Sequence, residues 1–279
     1  MNARLFVLIA TLAFVFGCSN KHDKAESYVK RGIDKIEKGK LDEAGVDFDK
    51  AIEIDDQNAD AYFNRGILRY KEGDWNRAID DYDQVLDLDP KYPKVYSNRG
   101  LAEFGKGDLD GAIEDFDQAI HLNSKFPDDY LNRGLAEADK GNPDEAITNF
   151  TQTIALDSQN VWAYYNRGVE KEKKRDFDDA IADFSRAIQI DPKCAKAFGE
   201  GGVVKAEDKG DTEGAIADDN QAIELNPKLP QVYVNRGREK FKAGDLTAAI
   251  TDFDQAIQLN PNDANAYKNR SKAKSDMAI

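Results

Sequence analysis

A block of 34 residues restarts again and again in this chain, and a repeat of that length leaves few folds open. The clearest copy runs from Ala59 to Tyr92, ADAYFNRGILRYKEGDWNRAIDDYDQVLDLDPKY. Glycines recur at Gly32, Gly66, Gly100, Gly134, Gly168 and Gly202, then at Gly237 after one inserted residue. Four residues before each stands an aromatic: Tyr28, Tyr62, Tyr96, Tyr130, Tyr164, Phe198 and Tyr233. An alanine column follows (Ala44, Ala78, Ala112, Ala146, Ala180, Ala215, Ala249), and four residues further comes a second aromatic column, Phe48, Tyr82, Phe116, Phe150, Phe184 and Phe253. Four units close on Pro90, Pro192, Pro227 and Pro261, and proline stops a helix because it has no N–H to donate.

These columns predict a helix–turn–helix unit. The first helix carries its aromatic and glycine one turn apart on one face, where the glycine admits a close neighbour. Turns are expected at Gly39, Gly73, Gly107, Gly141 and Gly244, with Asp74, Asp108, Asn142, Asp176, Asp211 and Asp245 as N-caps of the second helix. Pro143 suits the first helical position. The second helix presents an i, i+4, i+7 stripe such as Ala112, Phe116 and Ala119. One helix pair cannot bury that stripe alone, so the units must stack.

At these residues the chain resembles the tetratricopeptide repeat (TPR) family. The Asn-Arg-Gly tripeptide at 64–66, 98–100, 132–134, 166–168 and 235–237 resembles a bacterial subclass of it. The resemblance implies an all-α, right-handed superhelical solenoid. Its seven units are 25–58, 59–92, 93–126, 127–160, 161–194, 195–229 and 230–263, closed by a capping helix at 264–279. One departure is that the aromatic which the family usually places three residues after the column glycine is charged here, as in Arg69 and Glu103.

Residues 1–24 lie outside the repeat. One cation, Arg4, precedes an apolar run from Leu5 to Phe16, too short to span a bilayer comfortably and of the length of a signal-peptide core. Val15-Phe16-Gly17-Cys18 resembles a bacterial lipobox, which implies removal of 1–17, lipidation of Cys18 and a short polar tether over 18–24. An uncleaved anchor, or a secretory signal with an incidental cysteine, is the alternative. The lipoprotein reading places the chain in a bacterial cell envelope; Ser19 after the cysteine favours the outer membrane, facing the periplasm, in a Gram-negative cell. Cys194 is then left as a single thiol, read as a surface or half-buried spectator.

Net charge is −14, with 53 acidic against 39 basic residues, which argues against nucleic acid as a partner. Acids such as Asp81, Asp83, Glu114, Asp115 and Asp117 sit on second helices and read as a solvated outer face. The two histidines, His22 and His121, are far apart in sequence, and no metal set, catalytic constellation or cofactor loop suggests itself. The expectation is a non-enzyme with no cofactor.

Function is expected in the asparagine column. The TPR resemblance implies that Asn64, Asn98, Asn132, Asn166 and Asn235, with Asn269 in the cap, face the groove and grip the backbone of an extended peptide. An amide suits that task because it offers both donor and acceptor. Phe63, Tyr70, Phe104 and Tyr165, with Ile67, Leu101, Leu131, Leu135 and Val169, would shape side-chain pockets; the competing reading packs them between first helices. The arginine column (Arg31, Arg65, Arg99, Arg133, Arg167, Arg236, Arg270) is expected to pair with Asp47, Asp81, Asp115, Asp183 and Asp252 as a structural element. The partners expected are protein or peptide segments and, through the lipid anchor, a membrane. A structural, self-assembling component without a groove ligand is the alternative function, and homo-oligomerisation stays open. The sixth repeat, with Gly199, Gly201 and Gly202 and with Asp219 in the ring position, is expected to be the least stable unit and to divide the groove.

Overall fold

The structure is a computed structural model describing residues 3–208 and 210–278, with backbone alone over 3–19. Fifteen helices lie among the described residues, and all regular structure there is helical. They are α1 (Ala3–Glu37), α2 (Leu41–Ile54), α3 (Ala59–Lys71), α4 (Trp75–Leu88), α5 (Pro93–Lys106), α6 (Leu109–Leu122), α7 (Pro127–Lys140) and α8 (Pro143–Leu156). Then come α9 (Val161–Lys173), α10 (Phe177–Ile190), α11 (Ala195–Asp208), α12 (Thr212–Leu225), α13 (Pro230–Lys242), α14 (Leu246–Leu259) and α15 (Ala264–Met277). Packing divides the chain into two compact units, Met1–Ala136 and Glu137–Ile279. Within the first, α1 pairs with α2, α3 with α4 and α5 with α6; within the second, α9 pairs with α10, α11 with α12 and α13 with α14, and each pair stacks on the next.

The column glycines explain the pairing. A methyl group on Gly32, Gly66, Gly168 or Gly237 would lie 2.5, 2.6, 2.8 or 2.7 Å from the ring of Phe48, Tyr82, Phe184 or Phe253 respectively. In these four repeats the second-helix ring thus lies directly on the first-helix backbone. Those rings and the alanines beside them form the core, with Ala44, Phe48 and Ala51 in one repeat and Ala249, Phe253 and Ala256 in another. Burying one such ring contributes roughly 1.5–3 kcal/mol.

The expected turn glycines all have positive φ, from 72° at Gly39 to 88° at Gly141. Gly210 takes this role in the sixth repeat, and Arg175 takes it in the fifth at φ 65°. Asp74, Asp108, Asp211 and Asp245 cap their helices by accepting from the N–H three residues on. Asn142 and Asp176 make no side-chain cap. With Pro143 behind it, Asn142 turns its amide to Glu137 Oε2 at 2.7 Å instead. First helices have their own caps at Asn58, Asn160 and Asp263.

At the N-terminus the helical backbone runs unbroken through Asn20–Lys24, the stretch expected as a tether. From it His22 places Nδ1 3.0 Å from Asp55 Oδ2, a contact that raises the imidazole pKa. The side chain of Cys18 lies outside the described residues, as does most of the expected signal sequence apart from its backbone. Among the described residues no helix is long and apolar enough to cross a membrane.

Candidate peptide-binding face of the first helices

The second-helix acids correct one expectation. Asp47, Asp81, Asp115, Asp183 and Asp252 are buried, not solvated, whereas Glu114 and Asp117 are exposed. Each buried carboxylate receives the arginine sixteen residues earlier, as in Arg99 Nε and Nη2 on Asp115 at 2.7 Å each. Arg31, Arg65, Arg167 and Arg236 do the same to Asp47, Asp81, Asp183 and Asp252. The same guanidinium also reaches back sixteen residues to the preceding repeat. Arg65 meets Asp49, Arg99 meets Asp83, Arg133 meets Asp117 and Arg270 meets Asp254. Each arginine also lies over the tyrosine three residues before it, 4.5 Å from the ring centre for Tyr28 and 5.2 Å for Tyr267. The arginine column therefore fastens repeat to repeat.

The charged departure from the family pattern has its reason here. Lys35, Arg69, Lys171 and Lys240 supply a second cation to the buried carboxylates of their repeats. Hydrogen bonding from Arg31 holds Asp47 down to about 2. Deeper burial outweighs Arg65 at Asp81 and pushes its carboxyl up. In the third repeat the second cation is replaced by Glu103, whose carboxyl is pushed up by burial and by Asp115.

With the arginines committed to structure, the asparagines are what the first helices present. Asn64, Asn98 and Asn166 are half-buried, and each donates Nδ2 to the carbonyl one turn back, Asp60, Lys94 or Trp162, at 2.7 Å. One N–H and the Oδ1 of each amide stay available, and the rotamer is already fixed. Asn132 is half-buried at the same place on α7. Asn235 differs: it is buried, and its Oδ1 accepts from Gln231 Nε2 at 2.9 Å.

The expected pocket residues serve packing. Phe63 lies 6.1 Å from Tyr82 and 5.4 Å from Tyr92, centre to centre, and Tyr70 joins the same cluster. Phe104 packs against the core around Phe116, and Tyr165 lies 6.1 Å from Phe184. Their half-buried edges line the face beside the asparagines.

Trp162 is a functional candidate that the columns passed over. Half exposed, it meets Tyr165 edge-on at 5.9 Å and receives Lys196 Nζ 5.7 Å from its ring. It lines a cleft of about 620 Å³ with Asn160, Val161, Cys194 and Leu225. The signal was present, because the other repeats place Glu26, Asp60, Lys94, Asp128, Lys196, Gln231 and Asn265 there. Cys194 is buried, deeper than the surface or half-buried position expected, and burial raises its thiol pKa. Across α9 and α11, Glu172 is pushed up to about 7 by burial and then by Glu200 and Glu207. Glu200 occupies the asparagine column position and is raised by its own burial. Among the described residues no group of His, Cys, Asp and Glu is arranged to hold a metal ion.

Comparison with protein families matches the TPR repeat at residues 34–73, 68–107, 100–141, 134–171 and 237–275, and the tetratricopeptide repeat at 161–194. The interval left between the matches contains the sixth repeat. Comparison with curated proteins gave no match. Among solved structures, a tetratricopeptide repeat protein from Parabacteroides merdae is similar over 90% of this chain and 99% of its own, with 18% identity and a TM-score of 0.70. MamA shares 29% identity over 59% of this chain and 96% of its own, with a TM-score of 0.56. YrrB, a TPR protein with an unusual peptide-binding site, shares 25% identity over 66% of this chain and 95% of its own, with a TM-score of 0.56.

Proposed function

The chain belongs to the tetratricopeptide repeat family, and we propose that it is a non-enzymatic adaptor that holds an extended segment of a partner protein along its first helices. The observation that carries this reading is the same clamped amide on successive first helices of the first unit, Asn64 and Asn98, which recurs in the second unit at Asn166. A peptide backbone offers alternating N–H and C=O groups, which an amide with one donor and one acceptor left over can meet. Each bond adds about 0.5–1.5 kcal/mol net, so a few asparagines orient a segment while side-chain contacts supply the rest. The likeness to YrrB supports a peptide ligand.

The adaptor is anchored by lipid at Cys18 in a bacterial cell envelope, in the outer membrane facing the periplasm where the cell has one. The apolar run Leu5–Phe16 ahead of Cys18, and Ser19 after it, support this placement. Fatty-acid labelling that persists in Cys18→Ala would refute it. The adaptor reading is tested by crosslinking and pull-down of the full chain from membranes, beside a variant with Asn64, Asn98 and Asn132 changed to alanine and shown by circular dichroism to be folded. Loss of a partner in the variant alone is the expected result. An unchanged set of partners would overturn the reading.

A further inference from the structure

The second helix of the sixth repeat carries Asp219 where six other repeats carry a ring, and this carboxylate is 1% exposed. Opposite it stands Gly202, whose added methyl would meet Asp219 Oδ1 at 3.5 Å. A carboxylate is shorter than the ring it replaces. The space left is a cavity of about 10 Å³ lined by Gly202, Glu207, Asp219, Asn235, Arg238 and Glu239. That is room for one water-sized group.

Three oxygens bordering it, both of Asp219 and Oε2 of Glu239, have no hydrogen-bond partner among the described residues. The resident cations are engaged elsewhere. Arg236 holds Asp252 and Asn220, Lys205 holds Asp218, and Lys242 takes the other oxygen of Glu239. Arg238 has Glu207 at 3.9 Å as its ion pair. Buried acceptors left in this state are costly and call for a donor.

Glu207 is exposed and Arg238 half-buried, while Asp219 and Glu239 are buried. Val203 and Arg238, which line the cavity, hold the repeat positions of Ile67, Leu101, Leu135 and Val169, so it borders the first-helix residues assigned above to the bound segment. We propose that the sixth repeat is a receptor slot for a primary ammonium group, the tip of a lysine in that segment. This rests on the adaptor reading. An ammonium brings three N–H donors in the volume of a water, which match the three oxygens once Asp219 is ionised; a planar guanidinium is too large for the space. The exposed carboxylate of Glu207 beside it draws a cation to the slot.

Burial lifts Asp219 to about 8, with Asp218, Glu239 and Asp252 adding to the rise and Arg236 opposing it. At neutral pH its carboxyl holds a proton. Entry of the ammonium leaves Asp219 ionised and releases that proton to solvent, so binding tightens as pH rises towards 8.

The test is carbon-13 NMR of the side-chain carboxyls in the full chain at pH 7. The probes are Nα-acetyl-lysinamide, Nα-acetyl-argininamide and ammonium chloride, at matched ionic strength. Saturable shifts of Asp219 and Glu239 with the lysine probe, absent with the arginine probe, are expected. Asp219→Asn, which keeps the side-chain shape, should weaken the lysine response about tenfold or more, the loss of a charge-assisted contact. Circular dichroism confirms its fold. No shift with lysinamide, or equal shifts with argininamide, would overturn the slot and leave it a water site. Binding of ammonium chloride as tight as that of lysinamide would overturn the lysine assignment in favour of a free ion. Neither result touches the asparagine variant above, so the slot and the adaptor reading fail separately.

Discussion

Gly66 and Tyr82 lie so close that a methyl group on the glycine would sit 2.6 Å from the ring, which is itself fully buried. Gly66→Ala must therefore move a ring that has nowhere to go. Overpacking of this kind costs about 1–3 kcal/mol, and the gain in helix propensity of about 1 kcal/mol returns only part of it. Gly201 has its nearest neighbour at 3.7 Å, ordinary contact, so Gly201→Ala should stabilise by about 0.5–1 kcal/mol. Urea titrations of the two variants should move in opposite directions.

The ring column is phenylalanine in five repeats and tyrosine at Tyr82, whose hydroxyl is buried without a partner among the described residues. Removing an unsatisfied buried hydroxyl while keeping the ring should help. Tyr82→Phe is expected to raise stability by about 1 kcal/mol, read as a higher urea midpoint with unchanged slope.

Arg99 holds Asp115 with two bonds and reaches back to Asp83. Arg99→Ala leaves Asp115 buried beside Glu103 with no cation, and breaking a buried pair in this way costs about 3 kcal/mol. Arg99→Lys keeps the charge but cannot fork two ways, so its loss should be smaller. The fork also predicts a change in cooperativity. Hydrogen exchange in Arg99→Ala should quicken at α4 as well as at α5 and α6, because the link between repeats goes with it.

What the sequence shows and hides in this chain follows from what a period can carry. The glycine and ring columns recur at fixed offsets within one repeat, so their contact was readable, and so was the pairing of Arg31 with Asp47 or Arg236 with Asp252. The reach of Arg65 back to Asp49 joins different repeats and depends on how helices stack, which periodicity does not state. Asp81 and Asp115 looked solvated because charge suggests exposure; Arg65 and Arg99 make their burial tolerable. The asparagine column was readable as a pattern, but its clamping to Asp60, Lys94 and Trp162 carbonyls needed coordinates. Trp162 was missed because the columns rewarded agreement, and its signal was disagreement.

Arg175 occupies a left-handed conformation, φ 65°, where other repeats use glycine. The strain costs a residue with a side chain roughly 1–2 kcal/mol. Arg175→Gly relieves it but gives up the stacking of the guanidinium on Phe177, 5.2 Å away. A net gain of about 1 kcal/mol is expected, seen as a higher thermal midpoint for the second compact unit.

Asp219 makes the stability of that unit depend on pH. Its folded carboxyl stands at about 8 against an ordinary value of 3.8, so the folded state holds a proton that the unfolded chain has lost. The resulting stabilisation is fully present below the unfolded value and is lost as pH rises through 8. Stability should fall between pH 4 and 8, each such proton contributing a slope no steeper than about 1.4 kcal/mol per pH unit. Glu172, raised to about 7, and Glu200, also raised, add slope of the same sign. The decisive comparison is with Asp219→Asn, which cannot titrate and should show the shallower fall over that range. Equal slopes in the two proteins would mean that Asp219 is ionised in the fold and finds a partner there.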